Sequence, residues 1–470
     1  MRPLVFGVAT TLSIASVAIA CSDDAGTQRE GFDTPDAAPD VVANLPPSTE
    51  SDAGSEAGRE PRAPFDPADE PVVCATDAGA CAVELVAGRN HFCARMSDGT
   101  VKCWGDPRFG AIGEAVPGDG GTAHPVRTIA TLDNVTQLSA AGATTCARLA
   151  DGTAKCWGNN QRGQLALSAD SKNPSFDSDD HPVPSQVAVT EPIARIDVGE
   201  LAVCAVLASG KVWCWGDNTQ QQVLQPSSGV TAPTELALGS FGLTKLAIGS
   251  ATSFGLTADG KVTSWGALNG RMGLIGGRLA SVSPDGRPAV VDQLEDVTSF
   301  AVSTTLEREG EGRLGSVTPP PAAQGGALPH AHACAIAAGE VYCWGYSDFG
   351  ALCTGLFDME RLPAHAPING KAWPQQLAVG DELTCARMTD GTIQCCGVDH
   401  RGRLGVGFSP VFVPVEAFEG HAVKVATSHR AICALLQGGS VECWGSNQYG
   451  ELGQGPPDQD AHPTPVKVNF

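Results

Sequence analysis

Short runs of alternating apolar and polar residues, paired around a small Asp-Gly or Gly-Gly centre, recur from about residue 80 onwards. One such unit runs from Cys93 to Gly105 and has Ser97-Asp98-Gly99 at its centre. Alternation with a period of two around a short glycine-containing loop is typical of a β-hairpin. Related units follow at residues 146–158, 204–216, 254–266, 334–345, 385–397 and 433–445. A unit that returns about every fifty residues predicts a propeller, a solenoid or an array rather than one compact core.

Six of these units carry a cysteine at the same two positions. If Gly99 takes the left-handed position of a three-residue loop, Cys93 lies directly opposite Cys103. In the fourth unit both positions change together, to Phe254 and Ser264, as expected for residues that touch. Opposed strand positions bring Cβ atoms to about 4.5–5.5 Å, close enough for a disulfide. The alternative is a zinc site, but these cysteines lack the histidine partners and the short spacing of zinc ligands. We therefore predict six hairpin disulfides: Cys93–Cys103, Cys146–Cys156, Cys204–Cys214, Cys334–Cys343, Cys385–Cys395 and Cys433–Cys443.

Two further cysteines lie in neighbouring repeats and have no partner within their own hairpin. Cys353 interrupts a glycine-rich segment after the fifth hairpin, and Cys396 follows the second cysteine of the sixth. We predict a Cys353–Cys396 bridge between the two repeats, with two buried free thiols as the alternative. Cys74 and Cys81 are expected to pair with each other near the start of the repeats.

Each hairpin is accompanied by a strand rich in proline and valine, a second strand and a glycine-rich exit. Four short strands per repeat predict an all-β fold, a seven-bladed β-propeller with four-stranded blades. The first repeat lacks its proline-valine strand, and residues 463–468 form such a strand with no hairpin after it. We expect this C-terminal strand to pair with the N-terminal blade, which would close the ring and remove the sheet edges.

The N-terminus has the layout of a bacterial secretory signal. An apolar run from Leu4 to Ala20 follows Met1-Arg2, and Ala18-Ile19-Ala20-Cys21 resembles a lipobox. We predict a signal peptide at 1–20, a lipidated Cys21, a disordered acidic tether at 21–72 and the propeller at 73–470. The alternative is ordinary cleavage, which would leave Cys21 a free thiol and the protein secreted. The lipidated form would belong to the cell envelope, at the outer membrane or surface of a bacterium, and would touch the membrane only through its lipid.

The composition limits the classes of ligand. A formal net charge of −22 argues against direct binding of nucleic acid or anionic membrane surfaces. No nucleophile elbow, phosphate loop or metal-ligand run occurs, so we predict no enzyme, no cofactor and no metal site. The acidic run Asp177-Ser178-Asp179-Asp180 lacks the spacing of a calcium loop, and a solvated loop is favoured over a calcium site.

Tryptophan and glycine follow the hairpin cysteine in most repeats, and a Gly-Gln-Leu type of exit comes next, as in Trp444-Gly445 and Gly450-Glu451-Leu452. In these motifs, over about residues 75–470, the chain resembles the regulator-of-chromosome-condensation repeat family of seven-bladed propellers. It departs from the family in its hairpin cysteines, in Cys396 at a tryptophan position, and in keeping the family's histidine only at His91 and His332. We expect the repeated tryptophans to pack between strands, because the runs that serve light absorption in the family's plant photoreceptor are missing.

The fifth repeat contains an insert, between Val302 and Ala333, of about twenty-six residues beyond the equivalent stretch of the second repeat. Long loops on rigid scaffolds are either functional or disordered. We predict a protein-binding scaffold that acts as a monomer and holds an unidentified protein partner through its loop face. The resemblance implies guanine-nucleotide exchange as one alternative, and a surface hydrolase of glycans or peptides is another. The candidate partner-binding residues in the insert are Glu307, Arg308, Glu309, Glu311 and Arg313.

Overall fold

The computed structural model describes residues 65–66, 68–75, 79–113, 126–223, 226, 229–237, 241–268, 277–279, 282–303, 331–346, 349–357 and 360–470. Within these residues the chain forms seven antiparallel four-stranded sheets, and each sheet is built from four strands that are consecutive in sequence. The seven-bladed, all-β architecture predicted from the repeats is confirmed.

Each sheet is one blade, and its strands run from the centre of the ring outwards in sequence order. Blades 1 to 4 contain β1 (Ala82–Ala87), β2 (His91–Met96), β3 (Val101–Gly105), β4 (Arg127–Thr128); β5 (Val135–Ala141), β6 (Thr144–Leu149), β7 (Ala154–Gly158), β8 (His181–Gln186); β9 (Ile193–Val198), β10 (Ala202–Leu207), β11 (Val212–Asp217), β12 (Val230–Glu235); β13 (Leu243–Ile248), β14 (Thr252–Thr257), β15 (Val262–Gly266) and β16 (Asp285–Val290). Blades 5 to 7 contain β17 (Val297–Val302), β18 (His332–Ala337), β19 (Glu340–Gly345), β20 (Glu360–His365); β21 (Pro374–Gly380), β22 (Leu383–Met388), β23 (Ile393–Val398), β24 (Phe408–Pro414); β25 (Ala422–Thr427), β26 (Ala431–Leu436), β27 (Val441–Ser446) and β28 (Ala461–Lys467). Single 3-10 turns lie at Arg108–Gly110 and His400–Gly402.

The loop inside each hairpin has the backbone that its sequence predicts. Gly99 has φ 82°, and Gly152, Gly210, Gly391 and Gly439 have values between 79° and 84°. Only glycine enters this left-handed region without steric cost, so it closes the three-residue loop. The shorter loop of blade 5 instead places two residues in this region, as a two-residue turn requires: Ala338 (φ 49°) and Gly339 (φ 84°).

The hydrophobic core lies between the blades rather than within them. In the described residues, each of seven buried apolar clusters joins two neighbouring blades. For example, Leu138 of blade 2 packs with Val101 of blade 1, and Leu377 of blade 6 packs with Ile336 of blade 5. A single sheet of four short strands cannot bury both faces alone, so stacking against two neighbours completes its core.

The predicted closure of the ring is wrong. Residues 461–467 pair with β27 of their own blade, and blade 1 has its own outer strand, β4, in Arg127–Thr128. The physical reason is that a periodic sequence does not show where one blade ends and the next begins. The repeat can be divided equally well before or after the proline-valine strand. The strand that follows each hairpin pairs with that hairpin through a local antiparallel connection, which costs less loop entropy than pairing across the whole chain.

Blades 1 and 7 are joined by packing and by single hydrogen bonds instead of a shared sheet. Trp104 of blade 1 donates to the carbonyl of Glu451 at 2.9 Å, and its ring packs edge-on against Phe470. Ala82 N, at the start of blade 1, donates to Gly439 O in blade 7 at 3.0 Å. These contacts complete a ring whose blades are each continuous in sequence.

Residues 65–66 and 68–75, which we call the strap, lie against blades 5 to 7. Phe65 packs on Trp373, Glu70 accepts from the His421 ring at 2.6 Å, and Val73 N donates to Gln437 O at 2.7 Å. The predicted end of the tether, at residue 72, falls inside this segment. No helix in the described part of the chain is long and apolar enough to cross a membrane.

Candidate functional site

One face of the ring carries the turns between the first and second strands of each blade and the longer loops between the third and fourth strands. We call it the exit face, because the glycine-rich exits lie there. Antiparallel strands alternate in direction, so these two kinds of connection end up on one side and the hairpin loops on the other. The blade 5 insert leaves and re-enters the sheet at this face, where Ser303 N donates to His332 O at 2.9 Å. Residues 304–330, including Glu307, Arg308, Glu309, Glu311 and Arg313, lie outside the described residues, as does Cys21.

The seven inner strands surround a tunnel along the axis of the ring. A cavity of about 200 Å³ occupies the tunnel near the exit face and is lined by residues of all seven blades. Its wall is largely backbone and small side chains such as Gly88, Ala141 and Gly380, while Arg89, Asp381 and His429 stand at its rim.

The rim of the tunnel carries four charged or titratable side chains, which we call the mouth cluster: Arg89, Glu200, Asp381 and His429. Arg89 lies 3.9 Å from Glu200, and the His429 ring is hydrogen-bonded to the Asp381 carboxylate. Burial by itself raises the pKa of Asp381, but the charge and hydrogen bond of His429, with help from Arg89 and Arg403, outweigh it and leave the pKa below its ordinary value. The cluster thus contains two contacting pairs, Arg89 with Glu200 and His429 with Asp381.

Arg403 lies beneath this cluster and is fully buried. Its guanidinium donates to His429 O at 2.7 Å and to Val398 O at 3.0 Å, and burial lowers its pKa to about 10 against the opposing charge of Asp381. The guanidinium therefore stays charged at neutral pH and supports the mouth cluster from below. Arg403 and the four residues of the mouth cluster include no nucleophile that is held by a base. The non-enzymatic role expected from the sequence stays a prediction.

A second feature of the exit face is an apolar surface between blades 5 and 6. Leu356 and Phe357, in the loop before β20, are 53% and 55% exposed, and Val406 is 55% exposed. Phe357 stacks on Phe408, with ring centroids 5.6 Å apart, and Val411 of the same strand forms a bridge with the blade 5 loop. We call these five residues the rim patch. Contiguous exposed apolar side chains of this kind are typical of binding surfaces.

The rim patch stands on a rigid base. Cys353, three residues before Leu356, is joined to Cys396 of blade 6, and both are fully buried. Gly355 N donates to Pro410 O at 2.9 Å, which ties the loop to β24. The exposed ring of Phe357 is therefore presented by a covalently anchored loop, and that of Phe408 by the strand to which this loop is tied.

The cysteines of the described residues form eight disulfides. In each of the six hairpin bridges the Cα atoms are 4.1 Å apart, as for directly opposed strand residues. Phe254 and Ser264 also face each other in blade 4. The pairs are those expected from the hairpin register and from the two odd cysteines of blades 5 and 6: Cys74–Cys81, Cys93–Cys103, Cys146–Cys156, Cys204–Cys214, Cys334–Cys343, Cys353–Cys396, Cys385–Cys395 and Cys433–Cys443.

The two retained histidines of the repeat hold neighbouring blades together. The His91 ring is hydrogen-bonded to Thr145 Oγ1 of blade 2 at 2.8 Å, and the His332 ring to Thr384 Oγ1 of blade 6 at the same distance. Burial lowers the pKa of His91 to about 4, against the opposing charge of Asp106, so its ring is neutral at pH 7. These contacts give both histidines a structural role between blades.

The acidic run of the blade 2 loop is also explained by local structure. Asp177 accepts from the Asn160 amide at 3.0 Å and is hydrogen-bonded to the His181 ring at 2.7 Å. Asp458 makes the same pair of contacts in blade 7, with Asn447 and His462. No group of three potential metal ligands occurs in the described part of the chain.

Sequence reasoning missed the rim patch and the mouth cluster. The rim residues are isolated apolar positions in two loops and in the outer strand β24, where no periodicity marks them. The mouth residues come from four different blades. A weak signal was available for the rim patch, because the unexpected Cys353 and Cys396 each precede one of its two segments in sequence.

Comparison with known proteins places this architecture in a family. The profile of the regulator of chromosome condensation (RCC1) repeat matches residues 82–111, 135–164 and 193–222, which cover the inner strand, hairpin and exit loop of blades 1 to 3.

Two curated relatives are similar in sequence over much of the chain. The ultraviolet-B receptor UVR8 of Arabidopsis thaliana is 35% identical over 302 residues, which are 57% of this chain and 67% of that protein. The E3 ubiquitin-protein ligase HERC2 of Mus musculus is 27% identical over 318 residues, or 65% of this chain. That match spans only 6% of the ligase, so it concerns one small part of a much longer protein.

Among solved structures, Prp20p of Saccharomyces cerevisiae has the same fold. It superimposes with a TM-score of 0.61 at 15% sequence identity and covers 85% of this chain and 90% of its own. The repeat profile, the sequence match to the ultraviolet-B receptor and the seven-bladed ring together show that this chain belongs to the RCC1 repeat family.

Proposed function

We propose that the protein is an exported, lipid-anchored scaffold that binds a protein partner through its exit face. The observation that carries this proposal is the rim patch, where Leu356, Phe357, Val406, Phe408 and Val411 are all at least 36% exposed. Large exposed apolar side chains cost solubility, and their concentration on one rigid edge is the feature expected of a binding surface.

The chemistry of the patch specifies the kind of partner. Stacked phenylalanines such as Phe357 and Phe408 can act as the aromatic anchors that dominate protein interfaces. The formal net charge of −22 favours a positively charged partner by electrostatic attraction. We therefore expect a protein whose docking segment is apolar and flanked by basic residues. Binding to proteins also has a precedent in the fold, since Prp20p has been studied for its binding to Gsp1p and histones.

Export is supported by the disulfides. Eight bridges in one chain are typical of proteins that mature in an oxidising compartment, because cytosolic thiols are kept reduced. Lipid attachment at Cys21 would hold the propeller at the cell envelope. Metabolic labelling with a fatty acid tests this part, and label that persists in a Cys21→Ala variant would contradict it.

The partner-binding proposal is tested with the full-length protein as bait in cross-linking and capture from the native envelope. A partner found with the wild type is then purified, and its dissociation constant is measured against Phe357→Ser and Phe408→Ser. Both side chains are exposed, so these variants are expected to fold. Each should weaken binding at least tenfold, about 1.4 kcal/mol, as for residues that anchor an interface.

The matched control is Phe176→Ser, which removes an equally exposed phenylalanine, at 54%, from the blade 2 loop. It should leave the dissociation constant unchanged. A fourth variant, which lacks residues 304–330, measures the contribution of the insert. Equal binding by the wild type and both rim variants would overturn the assignment to the rim patch.

A further inference from the structure

The inner strands place a ring of polar side chains around the tunnel, below the cavity of the exit face. The third residue of each inner strand belongs to this ring. Its seven members are Glu84, Gln137, Arg195, Lys245, Ser299, Gln376 and Lys424. Six of them are half-buried and Ser299 is buried, as expected for the wall of a narrow, water-filled tunnel.

Four of these side chains satisfy the open edge of the next blade's inner strand. Glu84 accepts from Leu138 N at 3.1 Å, and Lys245 donates to Phe300 O at 3.4 Å. The Gln137 amide donates to Ile196 O at 2.7 Å and accepts from Ile196 N at 3.0 Å. Gln376 makes the same pair of contacts with Val425 O and N, each at 2.8 Å. Backbone groups that face a tunnel need such partners because a neighbouring strand is missing on that side.

Two of the ring's charged side chains are neutralised within the protein. Glu84 accepts from the guanidinium of Arg95 at 2.8 Å. Arg195 binds both carboxylate oxygens of Asp197, with its shortest contact at 2.7 Å. Each of these pairs has no net charge.

Neither lysine forms an ion pair within the described residues. Lys245 Nζ lies 3.4 Å from Phe300 O and 5.2 Å from the centre of the Phe300 ring, and neither contact supplies a negative charge. Lys424 makes no hydrogen bond or ion pair with another described residue. The lysines stand on blades 4 and 7, three blades apart in a ring of seven, so they lie on opposite sides of the tunnel.

Burial and neighbouring positive charges destabilise the protonated form of Lys245. Burial is the largest cause, and with the charges of Lys424 and Arg195 it lowers the pKa of Lys245 to about 8. The charges of Asp197 and of the strap residue Asp69 act in the opposite direction. Two ammonium groups that repel each other in a partly desolvated space raise the free energy of the folded state. An anion placed between them would remove this cost.

We propose that the tunnel binds a small oxyanion of the phosphate or sulfate class between Lys245 and Lys424. With one N–H of Lys245 donated to Phe300 O, the two ammonium groups still supply up to five N–H donors from opposite sides of the tunnel. The site lies inside the tunnel, whereas the rim patch lies between blades 5 and 6. It is therefore separate from the proposed protein-binding surface. A small anion held there would link the inner strands of blades 4 and 7.

The test uses the full-length protein and inorganic phosphate at pH 7, with sodium chloride at equal ionic strength as the reference. Phosphate binding is followed by ³¹P line broadening and by the rise in unfolding temperature that a ligand of the folded state produces. Lys245→Met and Lys424→Met should each weaken phosphate binding at least tenfold. The control Lys155→Met, whose ammonium binds Thr131 O away from the tunnel, should bind as the wild type does.

Binding should also weaken between pH 7 and pH 9.5, as Lys245 loses its proton. The direct phosphate titration of the wild type does not depend on whether any variant folds. The oxyanion site is disproved if the protein does not broaden the ³¹P line and phosphate raises the unfolding temperature no more than chloride does. It is also disproved if a Lys245→Met and Lys424→Met double variant still binds phosphate.

Discussion

At the scale of single residues, one position in the exit loops differs between blades. Gln164 and Gln222 occupy the same place in the exits of blades 2 and 3, and each accepts a backbone N–H two residues earlier and donates to a carbonyl of the next blade. Glu451 takes this place in blade 7 and accepts from Tyr449 N at 2.7 Å. Its other oxygen is buried and has no hydrogen-bond partner among the described residues.

We predict that Glu451→Gln stabilises the protein above neutral pH. Burial raises the pKa of Glu451 to about 7, above its unfolded value of 4.5. The folded wild type therefore holds a proton that the unfolded chain has released, and its stability falls as pH rises between 4.5 and 7. Glutamine keeps the acceptor and does not titrate, so the gain should be small at pH 4.5 and reach about 1–3 kcal/mol at pH 8.

Urea unfolding at both pH values measures this difference. The exposed Glu416 supplies the control, because Glu416→Gln should change stability equally little at each pH. A gain for Glu451→Gln that does not vary with pH would contradict a buried carboxyl with a raised pKa.

At the scale of structural elements, the blades are joined by one recurring contact. Five buried indoles donate to a carbonyl in the exit loop of the preceding blade at 2.8–3.0 Å: Trp104, Trp157, Trp215, Trp265 and Trp444. This contact explains why tryptophan recurs once per repeat and accounts for its full burial.

Blade 6 replaces this contact with a covalent one. Cys396 stands where the tryptophan occurs elsewhere and is bonded to Cys353 in the exit loop of blade 5. The carbonyl of Ala351, which corresponds to the acceptor of the other blades, receives the hydroxyl of Thr384 at 2.7 Å. The loop that carries the rim patch is thus held at two points.

We predict that loss of the inter-blade bridge is more costly than loss of a hairpin bridge. Cys353 and Cys396 are 43 residues apart, whereas Cys146 and Cys156 are 10 apart. The chain-entropy relation gives about 4 kcal/mol for the longer loop and about 3 kcal/mol for the shorter one, and a hairpin is already restricted when unfolded. Double alanine variants of the two pairs, compared by thermal unfolding, measure the difference.

The same comparison separates stability from binding. The Cys353→Ala and Cys396→Ala double variant should weaken partner binding at temperatures where it remains folded, because the loop beneath the rim patch becomes free to move. The hairpin double variant should not. An inter-blade variant as stable as the hairpin variant would show that the bridge only replaces packing that tryptophan provides elsewhere.

At the scale of the whole molecule, the strap ties the N-terminal side of the chain to blades that are distant in sequence. It packs Phe65 on Trp373 and pairs Glu70 with His421, and Gln375 donates to Ala68 O. Asp69 lies 3.7 Å from the guanidinium of Arg387, which is fully buried. The strap therefore covers polar groups of blade 6 that would otherwise be open to water.

We predict that a chain beginning at residue 73 is less stable than one beginning at residue 60. The shorter chain loses an aromatic pair and two ion pairs, which together contribute about 1–3 kcal/mol. Thermal unfolding of the two chains, with the full-length protein as reference, measures this contribution. Equal stability of all three would mean that residues 65–72 add nothing to the fold.

The sequence by itself determined most of this architecture. The period-two hairpins with glycine at a left-handed position set the opposed cysteines, because register follows locally from loop length. The number of blades followed from counting repeats, and the Cys353–Cys396 pairing from two departures in neighbouring repeats. Each of these inferences depends on contacts within a repeat or between adjacent repeats.

Only the tertiary structure decided what depends on the ring as a whole. The phase of the blades, and with it the closure between blades 1 and 7, is ambiguous in any periodic sequence. The rim patch joins a loop of blade 5 to the outer strand of blade 6 and the loop before it. Lys245 and Lys424 are placed on opposite sides of one tunnel by a ring that closes over some four hundred residues. A linear pattern records which side chains repeat, whereas the radial arrangement of the blades decides which unrepeated side chains meet.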